Sequence, residues 1–124
     1  MAVHGIGTDI CDITRIARII DEQGDRFLKK VFTEKEISYC RPKHNSDECF
    51  AARFAAKEAF LKAIGTGLRD GLNWKDMEVV NDQLGKPILK TYNKCAEQIK
   101  DKKIFLSLSH TTDMALAFVI IENV

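Results

Sequence analysis

Asp47-Glu48-Cys49-Phe50-Ala51-Ala52-Arg53-Phe54-Ala55-Ala56-Lys57-Glu58-Ala59-Phe60-Leu61-Lys62-Ala63-Ile64 is the stretch on which the fold turns. It is rich in Ala, free of Gly and Pro, and closed by Gly65-Thr66-Gly67, which predicts the longest helix of the chain. Stepped through at the α-helical period, it leaves no wide polar face. Phe50, Phe54, Phe60, Leu61 and Ile64 make one side, and Ala51, Ala55, Ala56, Ala59 and Ala63 cover much of the rest. Arg53 and Lys57 fall inside the aromatic side, Glu58 and Lys62 inside the alanine side. Buried ions are costly unless paired, so these four must meet one another, other segments, or a ligand. Two i, i+4 contacts on a partly solvated helix would suffice structurally. Three cations against one Glu leave positive charge over, which favours an anionic ligand.

Working outward, Ala2 to Ile13 is β-branched and glycine-bearing, and alternation sets Ile6 and Ile10 against Gly5, Gly7 and Asp9 on the opposite face. This predicts a strand with one nearly bare face. Ile13 to Lys30 carries Ile16, Ile19, Ile20 and Phe27 near helical spacing, with Arg15, Arg18 and Arg26 interleaved and Gly24 interrupting. Thr33 and Glu36 form a capping box that opens a short helix, which ends near Cys40 because Pro42 forbids continuation. Beyond Trp74, Met77 to Asn81 and Ile88 to Thr91 flank a glycine turn as a hairpin. Tyr92 to Ile99 predicts a helix, and Ile104 to Ser109 and Ala115 to Ile121 predict two strands joined through His110 to Met114. Strands and helices do not alternate regularly, so the pattern predicts an α+β single domain over residues 1–124, with an antiparallel or mixed sheet packed on the long central helix.

Composition narrows the function. In 124 residues, 45% are hydrophobic, enough for one core. Nineteen Lys plus Arg balance 18 Asp plus Glu, a net charge of +1, so bulk charge argues for neither nucleic acid nor an anionic membrane. The start Met1-Ala2-Val3-His4-Gly5 lacks a signal-peptide pattern and no segment reaches bilayer length, which predicts a soluble cytoplasmic protein. Cys11, Cys40, Cys49 and Cys95 are scattered without a C-x-x-C pair, so reduced thiols are expected rather than a disulfide framework or a zinc site.

Gly5 and Gly7 leave room beside Asp9 for a ligand or another backbone, and across that gap Asp9 could meet Glu58. Equally, the glycines could serve only to seat the alanine side of the helix, with Asp9 paired to Lys62. Two carboxylates without His or Cys suit Mg2+, which fills its shell with water and substrate phosphate oxygens. No G-x-x-x-x-G-K-[ST] loop is present, and Gly65-Thr66-Gly67 alone names no nucleotide. Ser109-His110 closes an apolar strand, where the residues by themselves fit a turn-capping Ser with an incidental His, and where the His suits phosphate recognition better than a nucleophilic triad.

The blocks Gly5-Ile6-Gly7-Thr8-Asp9-Ile10, Arg53 to Ala63, Gly65-Thr66-Gly67, Gly85-Lys86-Pro87 and Ser109-His110 resemble, in order and spacing, the holo-acyl-carrier-protein synthase type of phosphopantetheinyl transferase. The likeness runs from Gly5 to about Ala117. It implies transfer of 4'-phosphopantetheine from coenzyme A to a serine of apo acyl carrier protein, releasing 3',5'-ADP. It implies that Asp9 and Glu58 hold Mg2+, with Lys62 beside them in catalysis. Arg53 and Lys62 would bind phosphate, and Gly85, Lys86, Pro87, Ser109 and His110 would line the adenosine and 3'-phosphate region. Lys57 and Gly65 are further candidates for the coenzyme site. The resemblance also implies a homotrimer with active sites between subunits. Carrier proteins of this kind are acidic, so Arg15, Arg18, Arg26 and Phe27 are the expected docking residues.

Thr8 departs from the aliphatic residue usual at that position, and residues 40 to 49 follow no family pattern, which leaves Lys43, His44 and Cys49 without an assigned role. Two other readings remain: a non-catalytic module that binds phosphate or acidic proteins, and a magnesium pyrophosphatase acting on nucleotides.

Overall fold

The computed structural model describes residues 2–69 and 71–124. In chain order the elements are β1 (Val3–Asp12), α1 (Ile13–Gln23), α2 (Asp25–Val31), α3 (Glu34–Cys40), α4 (Ser46–Ile64), a 3-10 turn (Trp74–Asp76), β2 (Met77–Asn81), β3 (Pro87–Thr91), α5 (Asn93–Gln98), β4 (Lys102–His110) and β5 (Met114–Asn123). Pairing is antiparallel in both sheets: a three-stranded sheet ordered β1-β5-β4 and the β2-β3 hairpin. The α+β architecture expected from the sequence is the one observed.

α4 is the hub. It lies across β1 and β5 and is buried on nearly every side, from Cys49 to Ala63. Its C-terminus ends at Gly65 in the left-handed region (φ 82°), whose backbone N–H donates to the Leu61 carbonyl. Close approach depends on β1 presenting its bare face inward. A Cβ on Gly5 would overlap the Ala63 carbonyl, and one on Gly7 the Ala59 carbonyl, so only glycine lets strand and helix backbones touch. The small side chains Ala115 and Ala117 of β5 continue this surface, with Val119 and Ile121 beyond them.

The inward glycines turn β1's aliphatic side outward. Ile6 and Ile10 are each 59% exposed, and Phe105 of β4 and Phe118 of β5 lie on the same outer face. Solvated faces of antiparallel sheets are ordinarily polar; this one is apolar.

At the other end of α4, Phe27, Phe32, Phe50, Phe54 and Trp74 pack ring against ring. Phe27, expected to face a partner, is 9% exposed and holds α2 to this cluster, so it is a core residue and not a docking one. Its position in the short helix after Gly24 points it inward, a change of direction that periodicity across Ile13 to Lys30 could not show.

The cysteine expectation is corrected in part. Cys40, the last residue of α3, and Cys49, in the first turns of α4, form a disulfide with Cα atoms 5.5 Å apart. Cys11 and Cys95 are free and buried, and burial pushes their thiols up to about 11 and about 12. Nine residues of separation with a polar loop between gave no framework pattern; the packing of α3 on α4 brings the pair together.

Candidate active site

Asp9 leaves β1 on the glycine face, and Glu58 and Lys62 rise from α4 one turn apart. Lys62 Nζ donates to Asp9 Oδ1 at 3.1 Å and to the Thr8 carbonyl at 3.0 Å, with Lys62 largely exposed. Burial, and then the charge of Asp9, raises the pKa of Glu58, while Lys62 and Arg15 oppose the rise. These contributions place two carboxylates and two cations in one electrostatic cluster. Glu58, Lys62 and Gly65 line a cleft of about 450 Å³ with Leu61, Gly67, Leu68 and Trp74.

The donor set is two hard carboxylates, Glu58 lining the cleft and Asp9 bonded to the cleft residue Lys62, with the charge of Asp9 acting on Glu58. That chemistry fits Mg2+, which takes one or two protein carboxylates and leaves other positions to water and phosphate oxygens. Among the described residues no group of three or more His, Cys, Asp and Glu is placed to hold a metal ion.

A second cleft, about 550 Å³, opens beside the N-terminal half of α4. Arg53, Gly85, Lys86, Pro87, Ser109 and His110 all line it, so three separate segments expected to bind one ligand do converge. Arg53 is 4% exposed; its Nη2 donates to Asn81 Oδ1 at 2.6 Å, its guanidinium lies over the Tyr39 ring at 4.5 Å, and its Nε has no partner among the described residues. Desolvation lowers its pKa, which marks a cation held where an anion would be strongly felt. His110 Nε2 sits 3.4 Å from Glu48 Oε1.

Lys57 is the exception. It is wholly buried, and its Nζ donates to Glu36 Oε1 (2.7 Å), the Val31 carbonyl (2.7 Å) and the Trp74 carbonyl (3.2 Å). All three ammonium protons are spent on protein acceptors, so Lys57 is not a phosphate-binding residue. Its acid partner lies one helix upstream: Glu36 also accepts from Thr33 N–H in the capping box and from Val79 N–H, so one side chain ties α3, α4 and β2 together.

The sequence reading missed Tyr39, Lys43, Asn45, Glu48 and Asn81, all of which line the larger cleft. Asn81 precedes the glycine turn already singled out, a signal that was available. The others lie in or beside residues 40 to 49, where no pattern exists to read.

The two clefts lie on opposite sides of α4: nine positions separate Arg53 from Lys62, and at roughly 100° per residue that is half a revolution. Of the arginines expected to dock a partner, Arg15, Arg18 and Arg26 are exposed and, among the described residues, none is engaged in an ion pair. Of the three, Arg15 is the one whose charge acts on Glu58 and on Cys11.

The fold and these clefts define a class of protein. Residues 5–119 match the family model described as the 4'-phosphopantetheinyl transferase superfamily. The chain is 50% identical over 124 residues to a holo-acyl-carrier-protein synthase of Geobacter sp. (strain M21), covering 98% of this chain and 99% of the relative. Among solved structures it is similar to the holo-acyl-carrier-protein synthase of Neisseria meningitidis (TM-score 0.88, 35% identity, 98% and 99% of the two chains). It is also similar to that of Bacillus anthracis in complex with coenzyme A (3',5'-ADP) (TM-score 0.84, 36% identity, 100% of both chains). The chain belongs to the 4'-phosphopantetheinyl transferase superfamily and, within it, to the holo-acyl-carrier-protein synthases, and it is an enzyme.

Proposed function

We propose that the chain transfers 4'-phosphopantetheine from coenzyme A to a serine of apo acyl carrier protein, releasing 3',5'-ADP, with Mg2+ held by Asp9 and Glu58. The observation that carries this reading is the pairing of two carboxylates with Lys62 at the edge of an open cleft, inside the stretch that matches the family.

The serine hydroxyl attacks the β-phosphorus and the bond to the bridging oxygen of the leaving nucleotide breaks. Mg2+, when bound, neutralises diphosphate charge. Lys62, drawn to Asp9 in the free protein, turns to the diphosphate and stabilises charge growing on the leaving oxygen. Glu58, which lines the cleft, accepts the hydroxyl proton. Arg53 and His110 hold the nucleotide's phosphate in the larger cleft, and Gly85 to Pro87 form its wall. The exposed, unpaired Arg15 and Arg18 of α1 and Arg26 of α2 attract the acidic carrier. The enzyme acts in the cytoplasm; among the described residues no helix is long and apolar enough to cross a membrane.

Since Arg53 and Lys62 occupy opposite sides of α4, one coenzyme molecule meets both kinds of cleft only where two subunits abut. The apolar outer sheet face, with Ile6, Ile10, Phe105 and Phe118 exposed, supports assembly into a homotrimer with active sites between subunits.

Weighing the carrier by mass spectrometry after incubation with Mg2+ and coenzyme A tests the reaction. A phosphopantetheine mass gain that disappears in Asp9→Ala and Glu58→Gln is expected. Free products without a modified carrier would assign a pyrophosphatase, and ligand binding without turnover a binding module.

A further inference from the structure

Every residue that the α3–α4 connection contributes to the larger cleft lies within or beside one covalent ring. Lys43, Asn45 and Glu48 fall between Cys40 and Cys49; Tyr39 directly precedes Cys40; Cys49 itself lines the cleft. Asn45 Nδ2 donates to Glu48 Oε1 (3.4 Å), and that carboxylate faces His110 across the cleft. Lys43 Nζ lies 4.5 Å from the Tyr39 ring centroid, opposite the equally close Arg53 guanidinium. Ahead of the first turn of α4 the connection is held by backbone hydrogen bonds from Arg41 N–H to the Ile37 carbonyl and Lys43 N–H to the Cys40 carbonyl, and by the exposed Arg41–Asp25 ion pair at 2.6 Å. The disulfide is the covalent tie on this wall.

We propose that Cys40–Cys49 is a reversible thiol–disulfide site, and that its reduction releases the cleft wall formed by residues 41–48 and weakens binding of the nucleotide. This rests on the larger cleft being the nucleotide site. The reductant is a dithiol. Its thiolate attacks Cys49 Sγ, which faces the cleft; the S–S bond breaks and Cys40 leaves as thiolate and takes a proton. The second thiol then attacks the mixed disulfide, freeing Cys49 and leaving the reductant oxidised by two electrons. On re-oxidation by a small-molecule disulfide, the Cys49 thiolate, favoured by the Arg53 guanidinium 3.5 Å from its Sγ, attacks that disulfide and releases one thiol, and the Cys40 thiolate then attacks the mixed disulfide at Cys49 and releases the second. Cys11 and Cys95 stay out of the exchange because both are buried thiols of raised pKa. A ligand in the cleft covers Cys49, so occupancy protects the bond.

The test uses the whole protein in air-oxidised form, in dithiothreitol, and as the double variant Cys40→Ser, Cys49→Ser. Alkylation under denaturing conditions followed by intact-mass measurement counts thiols: two labels are expected for the oxidised form and four for the reduced form. Amide hydrogen exchange of residues 41–48, which include the first residues of α4, should rise on reduction while β1 and the rest of α4 stay protected. Calorimetric titration with 3',5'-ADP should show affinity falling about tenfold on reduction, the double variant matching the reduced protein and ignoring dithiothreitol. 3',5'-ADP should also slow reduction. Four labels in the air-oxidised protein, or unchanged exchange over residues 41–48 on reduction, overturns the proposal, as does equal affinity in the two forms. Should 3',5'-ADP bind neither form, the functional reading above fails, and the thiol count with the exchange pattern still decides the release of the wall.

Discussion

Gly7 of β1 lies directly over the Ala59 carbonyl of α4, so close that any Cβ at position 7 would occupy the space of that oxygen. The obstacle is backbone on both sides and cannot rotate away. Gly7→Ala should therefore push the strand off the helix and cost about 3 kcal/mol or more. Urea denaturation read by far-UV circular dichroism measures it. A loss under 1 kcal/mol would mean that strand and helix can separate without penalty.

Lys57 and Glu36 form a wholly buried ion pair. Lys57→Ala strands the Glu36 carboxylate inside the protein and should cost about 3–5 kcal/mol. In a double-mutant cycle with Glu36→Gln the combined variant should recover part of that loss, because no lone charge is left. Retained stability with weakened coenzyme A binding would return Lys57 to the phosphate-binding set.

Glu78 supplies an acid-sensitive contact. Burial alone would raise its pKa, but hydrogen bonds from the Thr33 hydroxyl and from the Tyr92 hydroxyl (2.7 Å), with the charges of Lys35 and Lys57, together lower it below its ordinary value. The unfolded chain then holds the proton more tightly, so this contribution is present above about pH 4.5 and is lost as pH falls through the lowered folded value. Tyr92→Phe should remove about 1 kcal/mol at neutral pH and flatten the acid limb of the stability curve. A parallel curve, shifted without change of slope, would contradict this account.

Phe118 occupies the centre of the apolar outer face, paired across the sheet with Thr8 and Ser107. In the proposed trimer, Phe118→Glu should leave the secondary structure unchanged and shift sedimentation to the monomer. Because the two clefts lie on opposite sides of α4, turnover should fall at least a hundredfold in step with dissociation. A fully active monomer would place both clefts' functions within one subunit.

The sequence by itself determined the local and short-range features. The α4 helix follows from alanine content and a glycine stop, and the Thr33–Glu36 capping box and the hairpin follow from short-range chemistry that acts before any packing. The Gly5-x-Gly7-x-Asp9 strand and the Lys-Glu-Ala block around Glu58 were legible because their spacing and residue types are unusual enough to identify a family. Tertiary structure decided the partners of charge. Lys57 and Lys62 read alike, as helix cations in need of a partner, yet Glu36 of α3 consumes the first and Asp9 of β1 holds the second at an open edge. It also turned Phe27 inward, joined Cys40 to Cys49, and set Ile6 and Ile10 facing out. Periodicity records which residues share a face, but which face meets the core depends on how closely two backbones can approach, and that distance exists only once strand and helix have packed.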